Sequence, residues 1–224
     1  MNNIFIILSV YLLNSCTMKN HVHQPDAAQI SIIESVMNNQ TAAVEAELKR
    51  GTDVNTRDKN NRNLLLIATH ANNLVMAQIL VAHGADVNMQ DNIQDSPFLF
   101  AGASGYTDLV KLYLSNGARF DVFNRYNGTA LIPACERGHL DVVKLLASTK
   151  GFPIDHVNRL GWTGLMEAIV LGNGSQTYIN IIQTLIDAGC NVNIPDHDGI
   201  TPLQHARSRG FSGIVSVLEK AGGK

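Results

Sequence analysis

Cysteine is scarce. Three Cys in 224 residues cannot build a disulfide framework, which excludes a small stapled secreted fold. Charge is scarce as well: 16% of residues, with 17 Lys plus Arg against 19 Asp plus Glu, for a net charge of −2. A nucleic-acid binder held by a broad basic field is thereby excluded as a leading reading. There is no phosphate-cradling Gly loop and no Gly-x-Ser-x-Gly elbow. The eight His form no ligand set: His21 and His23 are a lone pair, and His70, His83, His156 and His197 are scattered. His139 and His205 adjoin helical patterns, where an imidazole serves local hydrogen bonds. Cys135 and Cys190 read as small buried groups. No metal, no cofactor and no catalytic residue is therefore expected, and an enzyme is not.

What is present is an ordinary 45% of apolar residues, enough to bury a sizeable core and too many for a disordered chain. The ten-residue apolar stretch at 4–13 (IFIILSVYLL) would make about 15 Å of helix, half of a bilayer's roughly 30 Å core. It suits the apolar part of a secretory signal. Leu13, Asn14, Ser15 and Cys16 follow, and resemble the lipobox of bacterial lipoproteins, where a small residue precedes a lipidated Cys that becomes the mature N-terminus. Asn14 is bulkier than that pattern, residues 1–3 lack Lys and Arg, and an ordinary cleaved signal is the alternative. The resemblance implies a signal at 1–16, lipidation of Cys16, and a polar tether at 17–27 with a reach of roughly 20 Å. Thr17 resembles the sorting pattern for the outer membrane, so a periplasmic, membrane-anchored protein is expected. Met18 offers a second start that would yield a cytoplasmic form.

The rest of the chain repeats. Gly51, Gly84, Gly117, Gly151, Gly189 and Gly222 are separated by 33, 33, 34, 38 and 33 residues, and most precede an apolar residue and an Asn or Asp. Ala68, Ala101, Ala134, Ala168 and Ala206 keep the same time. Two phased series over about 150 residues define a repeat architecture. Thr201, Pro202, Leu203, His205 and Ala206, with Gly138 to Leu146 (GHLDVVKLL), carry the pattern best. Weaker versions run from Ser96, Thr129 and Thr163. The unit resembles the ankyrin repeat. That resemblance implies an all-α solenoid of helix-turn-helix units with β-hairpin tips. Six repeats are expected, at 28–57, 58–90, 91–123, 124–157, 158–195 and 196–224.

Each feature has a local cause. Ser or Thr before the first helix caps its free amides, and Pro at the first turn costs no hydrogen bond. Val142, Val143, Leu145 and Leu146 form an apolar stripe at helical spacing. No single unit buries that stripe, so stacking is obligatory, and the degenerate first repeat is a cap. Repeat 4 gains one residue at 148–151 and repeat 5 gains five around 172–178, either as a tolerated surface insertion or as a loop that touches a partner.

In ankyrin proteins partners contact the tips and the exposed side of the first helix of each pair. Carried over by position, these are Lys59, Asn60 and Arg62; Asn92, Ile93 and Asp95; Phe123, Arg125 and Tyr126; Arg159, Leu160 and Trp162; and His197, Asp198 and Ile200. First helices add Glu136, Arg137, Val170, Leu171, Ser208 and Arg209. The expected protein-binding residues are Ile93, Phe123, Arg125, Tyr126, Arg137, Arg159, Leu160, Trp162, Val170 and Leu171, because aromatic side chains and Arg dominate binding hot spots. Packing of Trp162 and Phe123 onto neighbouring tips is the competing reading. One protein partner is expected for a chain that is a monomer before binding. Small repeat lipoproteins of the bacterial envelope include immunity proteins, so the first expectation is an inhibitor of a secreted toxic effector such as a lipase. A periplasmic scaffold or stress-protection protein is the second. No nucleic acid is expected as partner.

Overall fold

The computed structural model describes residues 27–224, with side chains from residue 31 onward. The signal segment, Cys16 and the tether up to residue 26 lie outside the described residues. Among the described residues twelve α-helices occur in six pairs. They are α1 (Ala27–Met37) with α2 (Thr41–Lys49), α3 (Leu64–His70) with α4 (Leu74–Ala82), and α5 (Pro97–Ala103) with α6 (Thr107–Leu114). The remaining pairs are α7 (Leu131–Glu136) with α8 (Leu140–Ala147), α9 (Gly164–Val170) with α10 (Gln176–Asp187), and α11 (Pro202–Ser208) with α12 (Ser212–Lys220). Odd-numbered helices pack on odd-numbered neighbours and even on even, giving two parallel rows. The chain is thus the expected all-α solenoid, and α1 begins one residue inside the expected tether.

Helices of six or seven residues are too short to persist alone, so caps and packing hold the odd row. Asn63, Ser96, Thr163 and Thr201 each accept the backbone N–H three residues on, and Thr201 with Gln204 completes a reciprocal capping box. Thr129 stands in the same position but its Oγ1 is buried without a partner. Pro133 explains the exception. A proline ring clashes with the carbonyl four residues back, here that of Thr129, and the first turn opens so that α7 starts late.

The core is the apolar stripe of the even row closed against the odd row: Val44, Leu48, Met76, Leu80, Leu109, Val142, Leu146, Ile181, Leu185, Ile214 and Leu218 are all buried. Tyr113 occupies the place of Leu80 and Leu146, fully buried, and its hydroxyl needs a partner. Thr69 on α3 supplies one at 2.6 Å while donating its own proton to the Leu65 carbonyl at 2.6 Å.

The tips are closed by side chains. Among the described residues the only bridge is the isolated pair Arg57 with Asn63, so the expected β-hairpins are tight turns without strands. Asp58, Asp91, Asn124, Asn158 and Asp196 open the five tips. Each accepts, through one side-chain oxygen, the N–H groups two and four residues on. The fourth residue of each turn takes a positive φ, as Asn61, Gln94, Asn127, Gly161 and Gly199. At Gly161 the need for glycine is double, because the His197 ring lies where a Cβ would be.

Between tips runs a ladder of polar rungs. Asn55 accepts the N–H of Asp86, Asn88 that of Arg119, Asp155 that of Asn191, and Asn193 that of Lys224. Asp121 should accept from residue 153, but Pro153 has no N–H, and Asp121 pairs with Arg119 instead at 2.8 Å. His156 bridges this junction differently, stacking on Phe123 and bonding the Asn127 carbonyl at 2.6 Å.

The inserted residues of repeat 5 lengthen α10 to twelve residues and fold back onto both neighbours. The Tyr178 hydroxyl donates to the Glu136 carbonyl at 2.7 Å, and Phe211 packs against Gly174.

Two stability comparisons follow from these hydrogen bonds. Thr163→Val should cost about 1 kcal/mol in chemical denaturation by removing a cap, while Thr129→Val should cost less than about 0.5 kcal/mol because its hydroxyl bonds nothing. Equal losses would refute the account of Pro133. Thr69→Val, which strands a buried phenol, should destabilise by about 1–3 kcal/mol and more than Tyr113→Phe; the reverse order would show that Tyr113 finds another partner.

Candidate protein-binding surface

The tip geometry fixes which side chains point outward. The N–H groups of the third and fifth residues of each turn face the Asx oxygen, so the side chain at the third position stands away from the stack. That position reads Asn60, Ile93, Tyr126, Leu160 and Asp198 along the solenoid. The three middle residues are exposed at 53%, 51% and 48%, an apolar row on consecutive repeats. Val157 and Ile200 are exposed nearby. A row of this kind, kept from the core by the turn itself, is what an interaction surface offers.

The expected site residues divide into two groups and one outlier. Ile93, Tyr126 and Leu160 form the row, with Arg125 and Arg159 beside it. The Arg125 guanidinium lies 5.1 Å from the Tyr126 ring centre and 3.7 Å from Asp95. Burial raises the Asp95 carboxyl and Arg125 partly offsets it. Arg159 donates to the Arg125 carbonyl at 3.0 Å, and its backbone N–H bonds the Tyr126 carbonyl at 2.8 Å, tying the two tips into one ledge. Trp162 is half-buried at the end of the repeat 5 tip. Arg137, Val170 and Leu171 form the second group, at the far ends of α7 and α9, about 10 Å along each helix from the tips. Leu171 is 48% exposed, Val170 half-buried, and Arg137 donates to the Ala103 carbonyl of the preceding repeat at 2.7 Å. Phe123 is the outlier: half-buried, it stacks on His156 at 4.4 Å between ring centres and belongs to the inter-repeat contact.

Two functional features lie outside those expectations. The Asx residues that build the tips recur at spacings of 33, 33, 34 and 38, a signal open to reading. Glu167 is the other. It sits on α9 in the place held by Ile67, Phe100, Pro133 and His205 in repeats 2, 3, 4 and 6, and is 5% exposed. Its Oε1 accepts from Asn158 Nδ2 at 2.8 Å, as His205 meets Asp196 at 2.6 Å in repeat 6. The thiols are of a different kind: burial pushes Cys135 well up and Cys190 to about 12, away from nucleophilic reactivity. Among the described residues no group of three or more ligating side chains converges, and no helix is long and apolar enough to cross a membrane.

Comparison with known proteins agrees with the architecture. A family model described as ankyrin repeats (3 copies) matches residues 32–124 and again 98–196. An ankyrin repeat domain of Acinetobacter baumannii AYE is 47% identical, with a TM-score of 0.84, covering 86% of this chain and 98% of that one. The ankyrin repeat protein EF0377 is 36% identical with a TM-score of 0.82, covering 85% and 96%. The ankyrin repeat domain of Bcl-3, at 22% identity and a TM-score of 0.77 over 87% of this chain and 86% of its own, shares the fold. The putative ankyrin repeat protein YahD of Escherichia coli K12 is 42% identical over 69 residues, 31% of this chain and 34% of YahD, so the match spans about a third of that relative. With five tips, two helix rows and these matches in agreement, the chain belongs to the ankyrin-repeat family, a family of protein-interaction modules.

Proposed function

We propose that this protein is an exported, lipid-anchored capture module that neutralises a secreted toxic effector, such as a lipase, by covering it with the tip row. The observation that carries the reading is the row Ile93, Tyr126 and Leu160, exposed on three consecutive tips and flanked by Arg125 and Arg159. Nothing in these turns requires apolar side chains, since Asn60 and Asp198 fill the same position at the two ends. Moving such side chains from water into a partner's surface is favourable by about 25 cal/mol per Å². Backbone hydrogen bonds join the tips of Tyr126 and Leu160, and Gln90 with the Arg125–Asp95 pair links those of Ile93 and Tyr126, so little ordering is required on binding and the surface is preorganised. The apolar stretch at 4–13 and Cys16 support the envelope location.

The test is affinity capture with the full chain, from envelope extract and from lysate expressing adjacent genes. One stoichiometric partner is expected, and Tyr126→Ala or Leu160→Ala should each weaken it about tenfold or more, about 1.4 kcal/mol, at unchanged thermal stability. Unaltered affinity in both variants removes the tip row from the site. A partner without toxic activity that the chain suppresses removes the effector reading and leaves a scaffold. For the anchor, Cys16→Ser should shift the protein from the membrane pellet to the soluble fraction; continued sedimentation would contradict lipidation.

A further inference from the structure

Asn158 alone organises the tip that carries Leu160 and Trp162. Its Oδ1 accepts the N–H groups of both residues, at 2.9 and 3.1 Å, and its backbone N–H bonds the Trp162 carbonyl at 3.0 Å. Its Nδ2 is left with a single partner, Glu167 Oε1 at 2.8 Å. Both residues are buried, at 5% exposure each. In repeats 2, 3, 4 and 6 the place of Glu167 is held by Ile67, Phe100, Pro133 and His205, and in the capping repeat 1 by the exposed Glu34, so the solenoid does not require a buried carboxyl there.

We propose that Glu167 is a positioning residue that couples the shape of the repeat 5 tip to protonation: the neutral acid rests against Asn158 and holds the turn, and the carboxylate draws away from it and loosens the turn. The direction follows from the surroundings. A buried carboxylate needs several donors, and here it has one. The groups on the packed elements do not make up the deficit. On α7, Glu136 repels the charge and Cys135 is a buried neutral thiol, while Arg137 is engaged by the Ala103 carbonyl. On α10 the Tyr178 hydroxyl is committed to the Glu136 carbonyl. On α11 His205 is paired with Asp196 and Arg209 with the Gly172 carbonyl. His197 of the next tip packs on Gly161. Burial, with Glu136 second, lifts the Glu167 carboxyl to about 7, against the smaller opposing pulls of Asn158 and Arg137. Because the folded chain holds this proton more tightly than the unfolded chain, where the value is near 4.5, stability falls as pH rises between the two and levels off above.

Trp162 makes the test independent of any partner, since it is the single Trp of the chain and lies on the tip in question. Its emission is followed in the full chain from about pH 5.5 to about pH 8.5. The expected result is a red shift with a midpoint near neutrality. Glu167→Gln keeps an acceptor for Asn158 and removes the proton site, so its emission should stay at the low-pH value throughout. His197→Gln, which removes the imidazole beside Gly161, should retain the transition. A flat wild-type profile, a transition that persists in Glu167→Gln, or one that disappears in His197→Gln would each overturn the proposal. A merely structural Glu167 would lower stability on substitution and leave the pH profile unchanged. The consequence for binding rests on the proposed surface: partner affinity should follow the same titration. Should the fluorescence titrate while affinity does not, the binding surface falls and the coupling stands.

Discussion

No repeat in this chain closes around its own core. The stripe on each even-numbered helix closes partly on the odd-numbered helix of its own repeat and partly on the neighbouring repeats, so a large share of the stabilising contacts lies at junctions between units. This one constraint accounts for much of the rest. It explains why helices of six or seven residues suffice, since each is clamped rather than self-supporting. It also sets where small residues stand. A Cβ on Gly102 would lie 2.7 Å from the Ala130 side chain, and one on Gly164 would lie 3.1 Å from Cys135 Sγ, so these junctions close only because the atoms are missing.

The departures from the repeat show the same logic. Where a phenol replaces an aliphatic side chain, at Tyr113, a hydroxyl stands ready on the facing helix at Thr69. Where Pro153 deletes a rung, His156 and Phe123 form another contact across the same junction. The insertion of repeat 5 is likewise absorbed into packing, through Tyr178. Thr129 is the exception, a buried hydroxyl that pairs with nothing. Each compensation joins residues roughly one repeat apart, and so none is visible within a single unit.

That separation decides what the sequence could disclose. The period, the caps and the αL glycines are demands of the local backbone, and they recur at fixed spacing whatever surrounds them. Ile93, Tyr126 and Leu160 were legible for the same reason: a turn position is set by its own few residues. Phe123 was open to two readings, hot spot or packing onto a neighbouring tip, and its half-buried stack could not be read from the sequence because its partner His156 lies 33 residues away, across the junction where Pro153 breaks the ladder. Arg137, Val170 and Leu171 were placed on the correct helices, yet helix length sets them apart from the tips. Glu167 gave no sign, because a charged residue in a short helix fits a solvated face until the packing of α7 and α9 is known. The partner is a separate matter, since a fold shared by many functions names none of them.

The longer α10 gives the array a direction. A stack of near-identical units has no preferred place to begin coming apart, and its ends fray alike. Here repeat 5 grips repeat 4 through the Tyr178 hydroxyl and repeat 6 through Gly174 and Phe211, the second contact matching the packing of His139 on Gly105 between repeats 3 and 4. The C-terminal three repeats are thereby tied to one another, and the degenerate first repeat, which has a neighbour on one side only, is the end expected to give way. A force or a protease acting on the chain would meet a molecule that unzips from the side nearest its proposed anchor, and the ledge carrying Tyr126 and Leu160 would be among the last surfaces lost.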